Sequence, residues 1–278
     1  MPLEGGDNAM FHTPHIGHVV TVTSAPGARP EYDRPNESSV HSTGARAMGD
    51  NSPVRTQFTN ELVALTADLT QMCRITHEAA ERVTDAVVGA DLTATYEVFA
   101  LDERLQTMYG ACEARTVVLL ALQAPVARDL RHVVTAIQIA GELSRIGRLF
   151  SRVADQVYQT HPDPIAPPPV LDVLAQMAGL TAECTARAQR AVTRGRHTPA
   201  DDTAASTMQT LNQKLHNALS ATAAASTETT ITLALIGHKL ARTLDHTERI
   251  ERLIHFLDTG VPPTAQIVAV DEDADIAD

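Results

Sequence analysis

The chain has 278 residues, 44% of them hydrophobic, with a mean hydropathy of −0.10: this supports one large or two small cores and fits a soluble protein. Its formal charge of −12 and isoelectric point near 5.4 exclude the global basic footprint of a nucleic-acid-binding protein. Aromatic residues make up 3% and tryptophan is absent, which favours helices packed through small aliphatic side chains over a β-sandwich.

Residues 1–53 carry Gly5-Gly6 and repeated prolines among polar stretches, so they are expected to be a disordered extension. They lack the basic and apolar regions of a signal peptide, and no apolar run reaches the ~18 residues of a membrane span; a cytoplasmic protein without direct membrane insertion is expected. From Val54 on, Leu62, Leu65, Leu69, Met72, Thr76, Ala79, Val83 and Ala86 recur at three- and four-residue steps, one stripe of a long helix. After a turn at Gly89, a second stripe runs Val98, Leu101, Leu105, Met108, Cys112 and Leu119. Pro125 should then start a third helix or sharply kink the second, and the stretch after it carries Leu130, Val133, Ile137, Leu143, Ile146, Val153 and Val157. Five prolines within residues 161–169 favour extended geometry and form the best internal boundary. Beyond it the plan recurs, with a helix about 170 to 194, a turn at Gly195, a helix about 200 to 224, a break at Ser226-Thr227 and a last helix to Gly260. Matching Met72 to Met177 relates the two units at an offset of roughly 105 residues. The expected fold is all-α: two tandem three-helix bundles over 54–160 and 170–260, a proline-rich linker at 161–169 and an acidic, disordered tail at 261–278.

Catalytic motifs are scarce. His77-Glu78-Ala79-Ala80-Glu81 opens like a zincin motif but has Glu81 in place of the second histidine. No G-x-S-x-G, P-loop, or paired Glu and Glu-x-x-His set is present. The histidines stand on separate turns and are expected at the surface or in local hydrogen bonds. Cys73, Cys112 and Cys184 are far apart in helical patterns, as buried small hydrophobes would be. Arg145, Arg148 and Arg152 make one basic helix stripe, able to hold an anion or an acidic partner but by default a solvated face.

The run Leu119-Leu120-Ala121-Leu122-Gln123-Ala124-Pro125-Val126-Ala127-Arg128-Asp129-Leu130-Arg131 resembles the corner that joins the second and third helices in the PhoU family. There Pro125 would set the helix start, Asp129 would sit at the positive end of the helix dipole, and Arg131 would bond across the bundle. Gln123, Pro125, Asp129 and Arg131 are thus a partner-binding or structural corner. The resemblance covers about residues 54–260, with Val54-Arg55-Thr56 similar to the family's start, which makes Val54 a candidate initiating residue, and with Arg145-Ile146-Gly147 and Asp245-His246 similar to its third and sixth helices.

The family resemblance implies two three-helix bundles and, in many members, acidic E/D-x-x-x-D motifs that bind metal clusters on the third and sixth helices. Here those positions hold Ser144 and Arg148, and Ala241 and Asp245; on the second and fifth helices, Gln106 and Gln209 stand where acids are usual, Asp102 is kept, and its repeat partner is Thr207. A degenerate metal set of at most Asp102, Glu142 and Asp245 is left, which Arg148 and Arg152 would repel a divalent ion from, so no cofactor is expected. Asp245 with Arg249 and Glu248 with Arg252 are expected to pair at i,i+4. The function implied is a non-enzymatic negative regulator of phosphate uptake and starvation signalling. It would be a homodimeric adaptor between the ATP-binding subunit of a phosphate transporter and a sensor histidine kinase. The alternatives are a metal-binding helical-bundle enzyme or store, and a diverged scaffold with other partners.

Overall fold

The computed structural model describes residues 53–122, 127–196, 203–222 and 226–263. The expected extension before residue 53, the expected tail beyond residue 263, and Gln123 and Pro125 of the corner lie outside the described residues. In chain order the helices are α1 (Pro53–Gly89), α2 (Leu92–Leu122), α3 (Ala127–Thr160), α4 (Pro168–Arg194), α5 (Thr203–Ala221) and α6 (Thr227–Thr259). The all-α expectation holds.

Local chemistry sets the helix ends. Between α1 and α2 the left-handed residue is Ala90, φ 49°, one past the glycine to which the sequence reading gives the turn. Asp91 caps α2, its Oδ1 accepting from the backbone N–H of Thr93 at 2.7 Å and of Ala94 at 3.3 Å. Gly195 ends α4 with φ 60°, and Ser226 caps α6 by accepting from the N–H of Thr229 at 3.1 Å. The linker expected at 161–169 is shorter than that: Pro167 is the extended N-cap and α4 begins at Pro168. Proline is tolerated there because a first-turn N–H has no intrahelical acceptor to lose.

Helix α2 packs on α1 and α3, and α5 packs on α4 and α6. The two triplets meet through α1 against α4 and α3 against α6. This arrangement explains which faces are buried. The predicted stripe of α1 is in the core, with Leu65, Leu69, Met72, Thr76, Ala79, Val83 and Ala86 all buried. So, however, are Cys73, Ile75, Ala80 and Val87 on the same helix, and Ala136, Ile139, Ala140, Phe150 and Ala154 on α3. Helices with neighbours in both triplets bury two faces, whereas a single heptad stripe describes only one. Leu130 departs from its predicted stripe and is 41% exposed at the start of α3.

Buried threonines recur on α1, α4 and α6, and Thr76, Thr185 and Thr247 line one small cavity where these helices meet α3. Thr76, Thr181, Thr185, Thr243 and Thr247 are buried, and each donates its hydroxyl to a carbonyl of its own helix, at 2.7 to 3.2 Å. The polar atoms are satisfied locally, so the residues can pack in an apolar layer. All three cysteines are buried and free, and burial pushes their thiols up, Cys73 to about 12 and Cys112 and Cys184 to about 11. They behave as the small hydrophobes the sequence suggests.

Candidate functional site

Where α3 meets α6, an open groove of about 620 Å³ is lined by Arg145, Arg148 and Arg152 from α3 and by Arg242, Arg249 and Arg252 from α6, with Glu142, Asp245, His246 and Leu149. The predicted arginine stripe of α3 is therefore one wall of a two-sided basic groove. Six guanidinium groups face two carboxylates. Helical periodicity explains the alignment, since steps of three and four residues keep side chains on one face.

Glu142 organises this groove from beneath. Its side chain is 6% exposed and meets Arg145 at 2.9 Å, Arg249 at 3.0 Å and His246 Nδ1 at 2.6 Å. Burial acts to raise the carboxyl's pKa, but the hydrogen bond and charge of His246, together with Arg145 and Arg249, outweigh it and hold the group below the usual glutamate range. An ionised carboxylate only accepts, so the Nδ1 of His246 carries the donated hydrogen. Two expectations are corrected here. His246 is neither at the surface nor locally bonded: its side chain is 12% exposed and it bonds across from α6 to α3. Arg249 pairs with Glu142, and Asp245 pairs with Arg242 at 3.7 Å, because a buried carboxylate opposite competes better for a guanidinium than an exposed one on the same helix. Glu248 and Arg252 do pair, at 3.8 Å.

The α2–α3 side of the first bundle holds a network centred on the amide of Gln106, at a position where the family motif has an acid. Gln106 Nε2 donates to Asp102 Oδ1 at 2.6 Å and to the Ser144 carbonyl at 3.1 Å; its Oε1 accepts from Ser144 Oγ at 2.7 Å and Arg148 Nε at 3.0 Å. Gly147 lets α2 approach here: a Cβ on it would stand 2.8 Å from Leu105 Cδ1 and 3.0 Å from Asp102 Oδ1. Asp102, Glu142 and Asp245 thus form no common donor set. One is held by an amide, one by three cationic or hydrogen-bond donors, and one by Arg242. Among the described residues no three His, Cys, Asp or Glu side chains converge to hold a metal ion. These residues do not fit a metal cluster, because a divalent ion needs clustered anionic oxygens.

At the corner, Asp129 lies in the first turn of α3. Arg131 reaches the far end of α6, its guanidinium 5.7 Å from the centroid of the Phe256 ring. Gly260, φ 82°, ends α6 against that same guanidinium and leaves no space for a Cβ. Arg131 thus packs over the end of α6. Apolar side chains stay outside around this corner, with Val117 67%, Val118 45%, Leu120 41%, Leu130 41% and Val134 36% exposed.

Arg242, Arg249, Arg252 and His246 are site residues that sequence reasoning passes over. A signal for two of them is present: Arg242 follows Ala241 as Arg145 follows Ser144, and Arg249 follows Asp245 at the same spacing as Arg152 follows Arg148. Superposing the third and sixth helices, rather than only the first halves of the units, brings these arginines into one set.

Residues 69–157 match the family model described as PhoU domain. The chain is 37% identical over 139 residues to the phosphate-specific transport system accessory protein PhoU homolog 2 of Mycobacterium tuberculosis, covering 50% of this chain and 65% of that relative, just under two thirds of its length. It is 28% identical over 216 residues to PhoU homolog 1 of Mycobacterium bovis, covering 76% of this chain and 97% of that relative. Among solved structures, the phosphate transport system regulatory protein PhoU from Streptococcus pneumoniae superposes with a TM-score of 0.62 at 21% identity, over 74% of this chain and 98% of that one. PhoU from Pseudomonas aeruginosa does so with a TM-score of 0.59 at 20% identity, over 74% and 100%.

Proposed function

The chain is a member of the PhoU family, and from that premise we propose that it is a non-enzymatic accessory protein of a phosphate transport system, a negative regulator that binds the transporter's ATP-binding subunit and a sensor histidine kinase. The observation that carries this reading is the PhoU domain match over residues 69–157, supported by relatives named as phosphate-specific transport system accessory proteins. That segment runs from α1 through the corner to the end of α3. The exposed Val117, Leu120, Leu130 and Val134 give it an apolar patch, the composition of a protein contact surface. Regulation by differential binding to partner states requires no chemistry in the chain itself. A cytoplasmic location and association as a homodimer belong to the same reading.

The test is capture of the full chain by the purified ATP-binding subunit of a phosphate transporter from the same cell. Binding is expected, with Val117→Asp and Leu130→Asp together weakening it about tenfold or more, since each places a charge in a desolvated contact. Both side chains are exposed, and thermal unfolding of the double variant checks that its fold is kept. Absence of capture by the unmodified chain, or capture indifferent to both substitutions, overturns the proposed docking surface.

A further inference from the structure

We propose that the groove between α3 and α6 binds a linear anion of two or three phosphoryl groups. Six arginines line it against Glu142 and Asp245, and Lys239 adds a cation beside Arg152: burial, and then the charge of Arg152, push its ammonium below the usual lysine range. Cations of this density repel one another, and a multivalent anion relieves that repulsion. Guanidinium is also the side chain best suited to phosphate oxygens, because its planar fork donates two parallel hydrogen bonds.

Several arginines are already placed. Glu142 holds Arg145 and Arg249 at 2.9 and 3.0 Å, and Gln106 Oε1 accepts from Arg148 Nε at 3.0 Å. Each keeps further N–H donors for a ligand, and less side-chain freedom is lost on binding. The length of the array sets the ligand. Arg145 to Arg152 spans two turns of α3, or about 10 Å along the axis, a length over which a chain of phosphoryl groups meets more guanidinium groups than a single orthophosphate does. An extended acidic peptide presents its side chains on alternating sides, so it meets fewer of these guanidinium groups over that distance than a phosphate chain charged at every unit. The lining contains no Phe, Tyr or Trp and one aliphatic side chain, Leu149, and its one imidazole, His246, is bonded to Glu142 beneath the groove. Charge on the phosphates therefore outweighs base stacking in the recognition assigned here.

Binding is measurable on the full chain alone, independently of any transporter or kinase. Calorimetric titration at about 150 mM salt, where weak surface pairing is screened, with tripolyphosphate, pyrophosphate, orthophosphate, ATP and an oligo-aspartate of matching charge distinguishes the outcomes. Tripolyphosphate is expected to bind saturably and orthophosphate about tenfold or more weakly. ATP is expected to bind no tighter than tripolyphosphate. Arg148→Gln with Arg152→Gln, both exposed positions, is expected to weaken tripolyphosphate binding about tenfold or more, while Arg74→Gln on exposed α1 surface leaves it unchanged. Thermal unfolding of each variant confirms that the fold is kept. No saturable tripolyphosphate binding, or binding unaltered in the double variant, overturns the proposal. Equal binding of orthophosphate refutes the chain-like ligand, tighter ATP binding refutes recognition through phosphates alone, and tighter oligo-aspartate binding assigns the groove to an acidic protein segment.

Discussion

Replacing Glu142 by alanine is expected to cost the fold about 3 kcal/mol at neutral pH, the order of loss when one partner of a buried charged cluster is removed. For a chain of this size that lowers the melting temperature by about 6 to 12 °C. Three donors lose their acceptor, but not equally. Arg145 and Arg249 are 57% and 55% exposed, so water replaces much of what they lose. His246 is 12% exposed and has less access to water, so most of the penalty falls on it. The substitution also changes the pH dependence of stability. The carboxyl of Glu142 is held below its ordinary value of 4.5 in the folded chain, so its contribution is fully present above that value. It is lost as pH falls from there through the depressed folded pKa. Equilibrium unfolding of the two proteins across that acid range checks this: the unmodified chain loses stability on acidification, and the alanine variant lacks that component. Equal stability of the two at pH 7 would mean that Glu142 is only a spectator beneath the groove.

The second large effect is expected at Arg187 and Glu251, which join α4 to α6 at 2.6 Å with side chains 24% and 6% exposed. Burial alone would lower the arginine's pKa, but the hydrogen bond and charge of Glu251 more than offset it. Arg187→Met leaves the Glu251 carboxylate buried without its cation, at a cost of about 3 kcal/mol. Glu251→Leu added to it is expected to return most of that loss, because replacing both members of a buried ion pair by apolar groups is close to neutral. Denaturant unfolding of the single and double variants measures both. A double variant no more stable than Arg187→Met would show that the pair's worth lies in its packing.

The helices were legible in the sequence because their signals are local. Leu65, Leu69, Met72 and Val83 give the period of α1, and Ser226 and Gly260 mark the ends of α6 by cap chemistry. The second buried face of α1 and α3 was not, since both helices pack against the other triplet as well as their own and a single heptad stripe describes one face only. The site divides in the same way. Arg145, Arg148 and Arg152 could be read as one stripe, and the mismatch of Ser144 and Arg148 with a metal motif could be read position by position. The pairing of His246 with Glu142, and of Arg249 with Glu142 rather than Asp245, depends on the approach of two helices a hundred residues apart in the chain. No spacing rule encodes that approach. Position in the corner motif likewise did not reveal that Arg131 ends on Phe256.

The placement of α5 has a consequence for how the protein opens. Its 19 residues bury Ala204, Met208, Leu211, Leu215 and Leu219 and, among the helices of the described residues, touch α4 and α6 alone, whereas α1 is packed against α2, α3 and α4. Free energies of local opening follow buried contact, so amide hydrogen exchange is expected to be fastest in α5 and slowest in α1. Loss of α5 leaves the α1–α4 and α3–α6 junctions whole. The α5 stave is therefore expected to come away while the other five helices stay packed, which makes the cooperative unit of the native state smaller than the fold.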